Sequence, residues 1–268
     1  MNGPDFTRLA PAAATATAAV DEDSAWHHLR DAAAEPYRSA GRFAWHFARG
    51  KLGRDPVFRA LVERGDLSQQ ARVLDIGCGQ GLLASLLAAA SAQQAGGRWP
   101  MSWPMAPGAV HYTGIELMPR DIARAQSSLR GLQPLPQFAC ADMREAALPP
   151  CDAVVILDVL HYVDHASQEN VLGRVREALR AGGSARARLL LRVGDAADRR
   201  GYAVSQWVDR WVTRVRGHGV APTWGRRLDD WIALLVRLGF AVQTLPMSRG
   251  TPFANVLLVA ELRDGVAS

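Results

Sequence analysis

The chain has 268 residues and a formal charge of +5, from 31 Lys and Arg against 26 Asp and Glu. That length buries one good core, so one domain with appendages is expected. No apolar run approaches the roughly 18 residues that cross a bilayer. Cys78, Cys140 and Cys151 show neither a disulfide framework nor metal-type spacing, which favours a reducing, cytoplasmic compartment. Almost all the positive charge is Arg, Lys51 being the one lysine, and no basic run is interleaved with aromatics. The basic balance therefore reads as compositional bias, and nucleic acid is not the expected partner.

Residues 1–24 are rich in Ala and Thr and poor in large apolar side chains, so a disordered tail is expected there rather than a signal peptide. Residues 25–67 turn helical. Pro36 interrupts or begins a helix, and Asp55–Pro56 opens a short one that ends at Gly65.

The stretch Ala71–Leu87 organises the rest of the chain. Val73, Leu74 and Ile76 form a short apolar run broken by Asp75, and Gly77, Gly79 and Gly81 follow before an apolar helical pattern. Glycine permits a sharp turn at positive φ and lets a ligand approach bare backbone. A dinucleotide fingerprint would carry its third glycine at Leu82, and here it does not. With an acid two residues before the first glycine, this G-x-G-x-G resembles motif I of the class I S-adenosylmethionine (SAM)-dependent methyltransferases. The resemblance covers about residues 68–263. It implies that Asp75, Gly77, Cys78, Gly79 and Gly81 bind SAM, and that residues 25–67 are a helical lid over it. Tyr37, Arg38, His46, Arg49 and Lys51 are the lid candidates, with Arg49 or Lys51 suited to the methionine carboxylate.

A helix over Gly81–Ala92 gives way to an insertion at about 92–110, whose Trp99 and Trp103 read as loop anchors. The second strand, His111–Leu117, carries Glu116 near its end, where a sheet of this type holds ribose hydroxyls. Leu117 lies beside it. The third strand, Gln137–Ala141, is followed by Asp142 and Met143. The resemblance gives Asp142 the adenine amino group and Met143 the ring face, while Asp142 also suits a helix cap. The fourth strand, Cys151–Leu157, is apolar throughout, as a strand buried on both faces must be. Its end, Leu157 followed by DVLHYVDH, should face the methyl group. A helix Ser167–Arg180 and a fifth strand Ala185–Val193 come next. A second insertion at 195–225 then sets Trp207, Val208, Trp211 and Val215 on one helical face. A helix Leu228–Leu238 and two strands, Ala241–Leu245 and Asn255–Leu262, close the pattern. The expected fold is α/β: a doubly wound, Rossmann-like, seven-stranded sheet with an antiparallel edge pair.

Methyl transfer to a hydroxyl or phenol carbon is helped by a base. His161 is the candidate, because imidazole is the side chain that titrates near neutral pH. Asp158 either orients it or touches the cofactor, and His165 starts a helix. The segment also resembles metal-assisted quinone-pathway O-methyltransferases with E-x-x-E-H. Here Asp158, His161 and Tyr162 break that pattern, and no metal is expected. An Asn/Asp/Ser-Pro-Pro-aromatic turn, the mark of amine methylation, is absent after the fourth strand. The expected acceptor is therefore an O or C atom of a small or acyl-carrier-bound, aromatic molecule. The run PYRSAGRFAWHFARGKLGRDPVF followed by VLDIGCGQGLLA resembles methyltransferases of bacterial aryl polyene pigment pathways. An RNA methyltransferase and a non-catalytic SAM-binding module remain as alternatives, and the oligomeric state is not legible.

Overall fold

The computed structural model describes residues 20–194, 223–248 and 255–263. Seven strands form one sheet: β1 (Arg72–Ile76), β2 (His111–Glu116), β3 (Gln137–Cys140), β4 (Ala153–Leu157), β5 (Arg188–Gly194), β6 (Phe240–Pro246) and β7 (Asn255–Leu262). Their order is β3-β2-β1-β4-β5-β7-β6. The first five run parallel, and β7 lies antiparallel between β5 and β6. The helices are α1 (Glu22–Ala34), α2 (Arg42–Arg54), α3 (Pro56–Glu63), α4 (Leu82–Ala95), α5 (Pro119–Leu129), α6 (His165–Gly182) and α7 (Leu228–Arg237).

Side chains alternate across a strand, and β1 uses that period to feed two cores. Val73 joins Tyr112, Tyr37 and the apolar residues of α1 and α4 on one face. Leu74 and Ile76 join those of α6 and α7 on the other. In β4 the residues Ala153 to Ile156 are fully buried, which explains their unbroken apolar run.

The first helix starts earlier than the expected tail boundary at residue 24. Asp21 caps it, its carboxylate accepting from the Ser24 amide at 2.8 Å, and Glu22 and Asp23 fill the first turn. Acids there suit the positive end of the helix dipole. Helix α4 buries Leu82, Leu83, Leu86, Leu87 and Ala90, and it runs three residues past the expected Ala92. A helix apolar on every side needs a cover on every side. One cover is α1: Ser85 donates its hydroxyl to the Ala33 carbonyl at 2.7 Å, and the Gln93 amide reaches the Ala25 carbonyl at 3.1 Å. The N-terminal helices thus share a core with the sheet.

Within the first insertion, Trp99 and Trp103 meet edge to face at 5.1 Å, and the Trp99 indole donates to the Pro104 carbonyl at 2.9 Å. Both anchor the loop, as expected. Trp207, Val208, Trp211 and Val215 of the second insertion lie outside the described residues.

Candidate cofactor and acceptor site

The register sets the carboxyl ends of five strands along one edge. Ile76 lies beside Ile115 and Ile156, Glu116 beside Cys140, and Leu157 beside Arg192. Strand order reverses between β1 and β4, and ligands of open α/β sheets bind outside the strand ends at such a switch point. The glycine bend, Glu116, Leu117, Asp142, Met143, Leu157, Asp158 and His161 all follow or end these strands, so the structure gathers them at that edge.

Gly77 has φ 79°, and a Cβ there would come within 2.5 Å of the Val159 side chain. Gly79 has φ 54°, and a Cβ there would meet nothing within 4 Å, so its backbone faces open space. Close packing forces the first glycine, while the second leaves a bare stretch of main chain. The amides of Gly77 and Cys78 donate to the Ile115 carbonyl at 2.8 and 3.1 Å. Glu116 accepts from the Gly79 amide with one oxygen and from the Met118 amide with the other, both at 3.0 Å. Each oxygen keeps capacity for a second donor.

Asp75, which the resemblance sets against SAM, is buried, and its side chain accepts from the Tyr112 hydroxyl at 2.5 Å. Burial pushes its carboxyl up to about 7, the Tyr112 hydrogen bond resists, and the Glu116 charge adds to the rise. Burial likewise raises the Cys78 thiol. Tyr112 was not foreseen. Its signal lies in the register: Asp75 stands beside Gly114, which has no side chain, and Tyr112 sits two residues away on the same face.

Asp142 is taken up by its neighbour. The Arg144 side chain reaches both carboxylate oxygens and its amide reaches one, at 2.6 to 3.1 Å. Those Arg144 hydrogen bonds hold the carboxyl below the usual range. The Arg174 guanidinium on α6 donates to the carbonyls of Met143, Arg144 and Ala146, strapping the turn to that helix. Met143 is half-buried and Leu117 exposed.

The lid candidates divide. Arg49, expected at the methionine carboxylate, pairs with Asp31 of α1 at 2.8 Å on the exposed side of α2. Lys51 pairs with Asp55 at 2.7 Å, Arg38 with Glu35 at 2.7 Å, and the His46 ring packs on Trp45. Tyr37 alone of the five is hydrogen-bonded to the glycine bend among the described residues, donating to the Gln80 carbonyl at 2.8 Å.

At the other half of the edge, Asp158 is held by the strand beside it. It has φ 59°, an unusual value for a residue with a side chain. Its carboxylate pairs with Arg192, whose guanidinium also grips Asp55, the N-cap of α3. Burial works against the Asp55 carboxylate, and Arg192 and Lys51 overcome it, holding the carboxyl well below its ordinary value. Arg192 is the one buried charge of β5, whose other arginine, Arg188, stands at the strand's first residue and is only half-buried. That lone charge was a legible sign of a buried pair, since an unpaired one would be very costly there. His161 lies in the 3-10 turn Leu160–Tyr162, its ring 4.2 Å from that of Tyr162, and its carbonyl accepts from the Trp224 amide at 2.8 Å. Buried Gln168 ties the carbonyls of Leu160, Val163 and Trp224 together. His165 opens α6, as expected, with its ring edge-on to Trp224 at 5.5 Å. An open groove of about 500 Å³ lies at the opposite end of β4, between α6 and Leu148–Pro150, and holds none of these strand-end acids.

This strand order, glycine bend and row of strand-end acids define the class I SAM-dependent methyltransferase fold. Residues 74–185 match the family model described as a methyltransferase domain. Similar solved structures include magnesium protoporphyrin IX methyltransferase from Synechocystis with bound SAH, at 18% identity and TM-score 0.54, over 91% of this chain and 100% of that one. Human N-acetylserotonin methyltransferase in complex with SAM is 18% identical at TM-score 0.55, over 90% and 67%. The pyocyanin biosynthetic protein PhzM is 19% identical at TM-score 0.53, over 83% of this chain, which spans 58% of its length. At these identities the likeness is one of fold. No curated protein matches the chain in sequence.

Proposed function

We propose that this chain transfers a methyl group from SAM to an oxygen or carbon of a small or carrier-bound aromatic molecule, with residues 68–263 as the catalytic domain and residues 25–67 as its cover. One observation carries the reading. The hydrogen bonds described for Asp75 and Glu116 come from a phenol and two backbone amides, with no cationic side chain. SAM brings a sulfonium and an ammonium, the charge that such a pair of acids suits. Asp75, Gly77, Cys78, Gly79 and Gly81 would hold the methionine end. Glu116 would take the ribose, and Leu117, Asp142, Met143 and Leu157 the adenine side. Arg49 is left out, since Asp31 engages it.

SAM supplies an activated methyl group, so the protein's main contribution is alignment. His161 would accept the acceptor's proton. Asp158, locked to Arg192, would shape the pocket floor rather than set the imidazole tautomer. Tyr162 and Trp224, 37% and 41% exposed, adjoin the His161 turn, and exposed rings there suit an aromatic acceptor. Among similar structures, those named for N-acetylserotonin and for magnesium protoporphyrin IX carry small-molecule acceptors in their names. No helix among the described residues is long and apolar enough to cross a membrane, and a cytoplasmic setting suits the reading.

The test is to incubate the protein with methyl-labelled SAM and panels of phenols, loaded acyl carriers and bulk RNA, then identify the labelled product by mass. A small or carrier-bound product is expected. Labelled RNA would replace the acceptor class, and SAM binding with no product anywhere would favour a non-catalytic module.

A further inference from the structure

We propose that Tyr37 is a positioning residue for the glycine bend, setting through the Gln80 carbonyl the main chain on which SAM binds; this rests on the methyltransferase reading above. Tyr37 lies in the short 3-10 helix Glu35–Ala40 and is fully buried. Its hydroxyl crosses 43 positions of sequence to donate to the Gln80 carbonyl at 2.8 Å. Gln80 stands between Gly79 and Gly81, is 4% exposed, and extends its side-chain amide to Asp121 of α5 at 3.2 Å. The bend is therefore held from two sides. From β2 come the Ile115 carbonyl and the Glu116 carboxylate, and from the N-terminal segment comes Tyr37.

Burial, with Cys78 beside it, keeps the Tyr37 phenol far above its ordinary titration range, so it stays a donor at every working pH. Removing that donor leaves a buried carbonyl unpaired, a state the main chain escapes by turning toward water. The residues that would turn are Gly79 to Gly81, where the backbone faces open space at Gly79. Glycines offer little resistance to such a shift. Tyr37 need not touch the ligand to set its affinity.

Tyr37→Phe keeps the ring and its burial and deletes only the donor. SAM affinity is measured by calorimetry at a temperature where both proteins are fully folded, and melting is followed separately. The expected result is a Kd raised about tenfold, the worth of roughly one buried hydrogen bond. A purely structural role would lower the melting temperature and leave Kd within about twofold, and that result overturns the proposal. If Tyr37→Phe does not fold, Gln80→Ala carries the test. It keeps the Tyr37–carbonyl bond and releases the Asp121 anchor, so a Kd within about twofold of wild type supports Tyr37 as the anchor that suffices, and a Kd raised about tenfold assigns the anchoring to Asp121 and overturns the proposal. If the wild-type protein itself fails to bind SAM, the methyltransferase reading falls first and takes this proposal with it. Binding by wild type with no change in Tyr37→Phe removes the proposal alone.

Discussion

At the ends of β1 and β2, Asp75 and Glu116 are met by a phenol and by backbone amides, whereas at the ends of β4 and β5 the carboxylates of Asp158 and Asp55 close around Arg192. The same edge thus treats its acids in two ways. In the half at β4 and β5 the two carboxylates meet Arg192 and, at Asp55, Lys51, so the charges balance within the protein. In the cofactor half one acid is pushed toward its neutral form and another is held by dipoles, so the local balance is negative. A buried negative imbalance favours a cationic ligand, and a neutralised one does not. Cofactor affinity should therefore follow the first pair of acids, and stability the second.

The largest effect should come from breaking the neutralised half. Arg192→Met leaves Asp158 without its guanidinium and Asp55 with Lys51 alone, and a loss of about 3–5 kcal/mol is expected in denaturant unfolding. Asp55→Asn added to it should recover part of that loss, whereas additive losses would show that the triad is not a unit.

The next effect separates the halves by pH. Between the ordinary carboxylate range and about 7, folded Asp75 keeps a proton that the unfolded chain releases. Its contribution to stability therefore falls as pH rises through that window and is flat above it. Asp55 has the opposite sign: its lowered value adds stability above the unfolded carboxylate range, which is lost as pH falls through the folded value. Asp75→Asn should flatten the decline between pH 5 and 7 and gain about 2–4 kcal/mol at pH 8, read from urea midpoints. An unchanged profile would show that Asp75 is ionised in the folded protein.

Glu116→Gln should come third. It removes the charge that receives the Gly79 amide, and SAM affinity is expected to fall about tenfold to a hundredfold, with the melting temperature nearly held. A large melting shift with intact affinity would reverse the contrast between the halves. The smallest effect is expected of Tyr162→Ala: a rise of a few-fold in acceptor KM, about 1 kcal/mol of lost stacking, with SAM affinity unchanged.

The sequence made the local parts of this edge legible and left the distant ones dark. The glycine spacing, the acid before it and the acids after β2 and β3 can be read because each sits within a few residues of the strand that positions it. The helix start at Asp21 was also local, with an acid cap and two acids in the first turn, but the Ala- and Thr-rich composition of residues 1–24 masked it. Other features join distant segments. Arg192 meets Asp55 across 137 positions, and Tyr112 meets Asp75 across 37. Neither pairing has a periodicity to announce it. The Asp158–Arg192 pair is equally silent in the sequence: it joins β5 to a residue at positive φ across 34 positions.

The contact between Gly77 and Val159 has a consequence for how such an enzyme can vary. These two positions are where the bend and the segment after β4 touch, and an added methyl group at 77 would strike Val159. Val159 adjoins Asp158 on one side and the His161 turn on the other. A change made to suit one ligand would therefore be transmitted, by steric contact alone, to the pocket of the second. Drift in acceptor preference should accumulate in residues beyond this junction, while the pair itself stays tied.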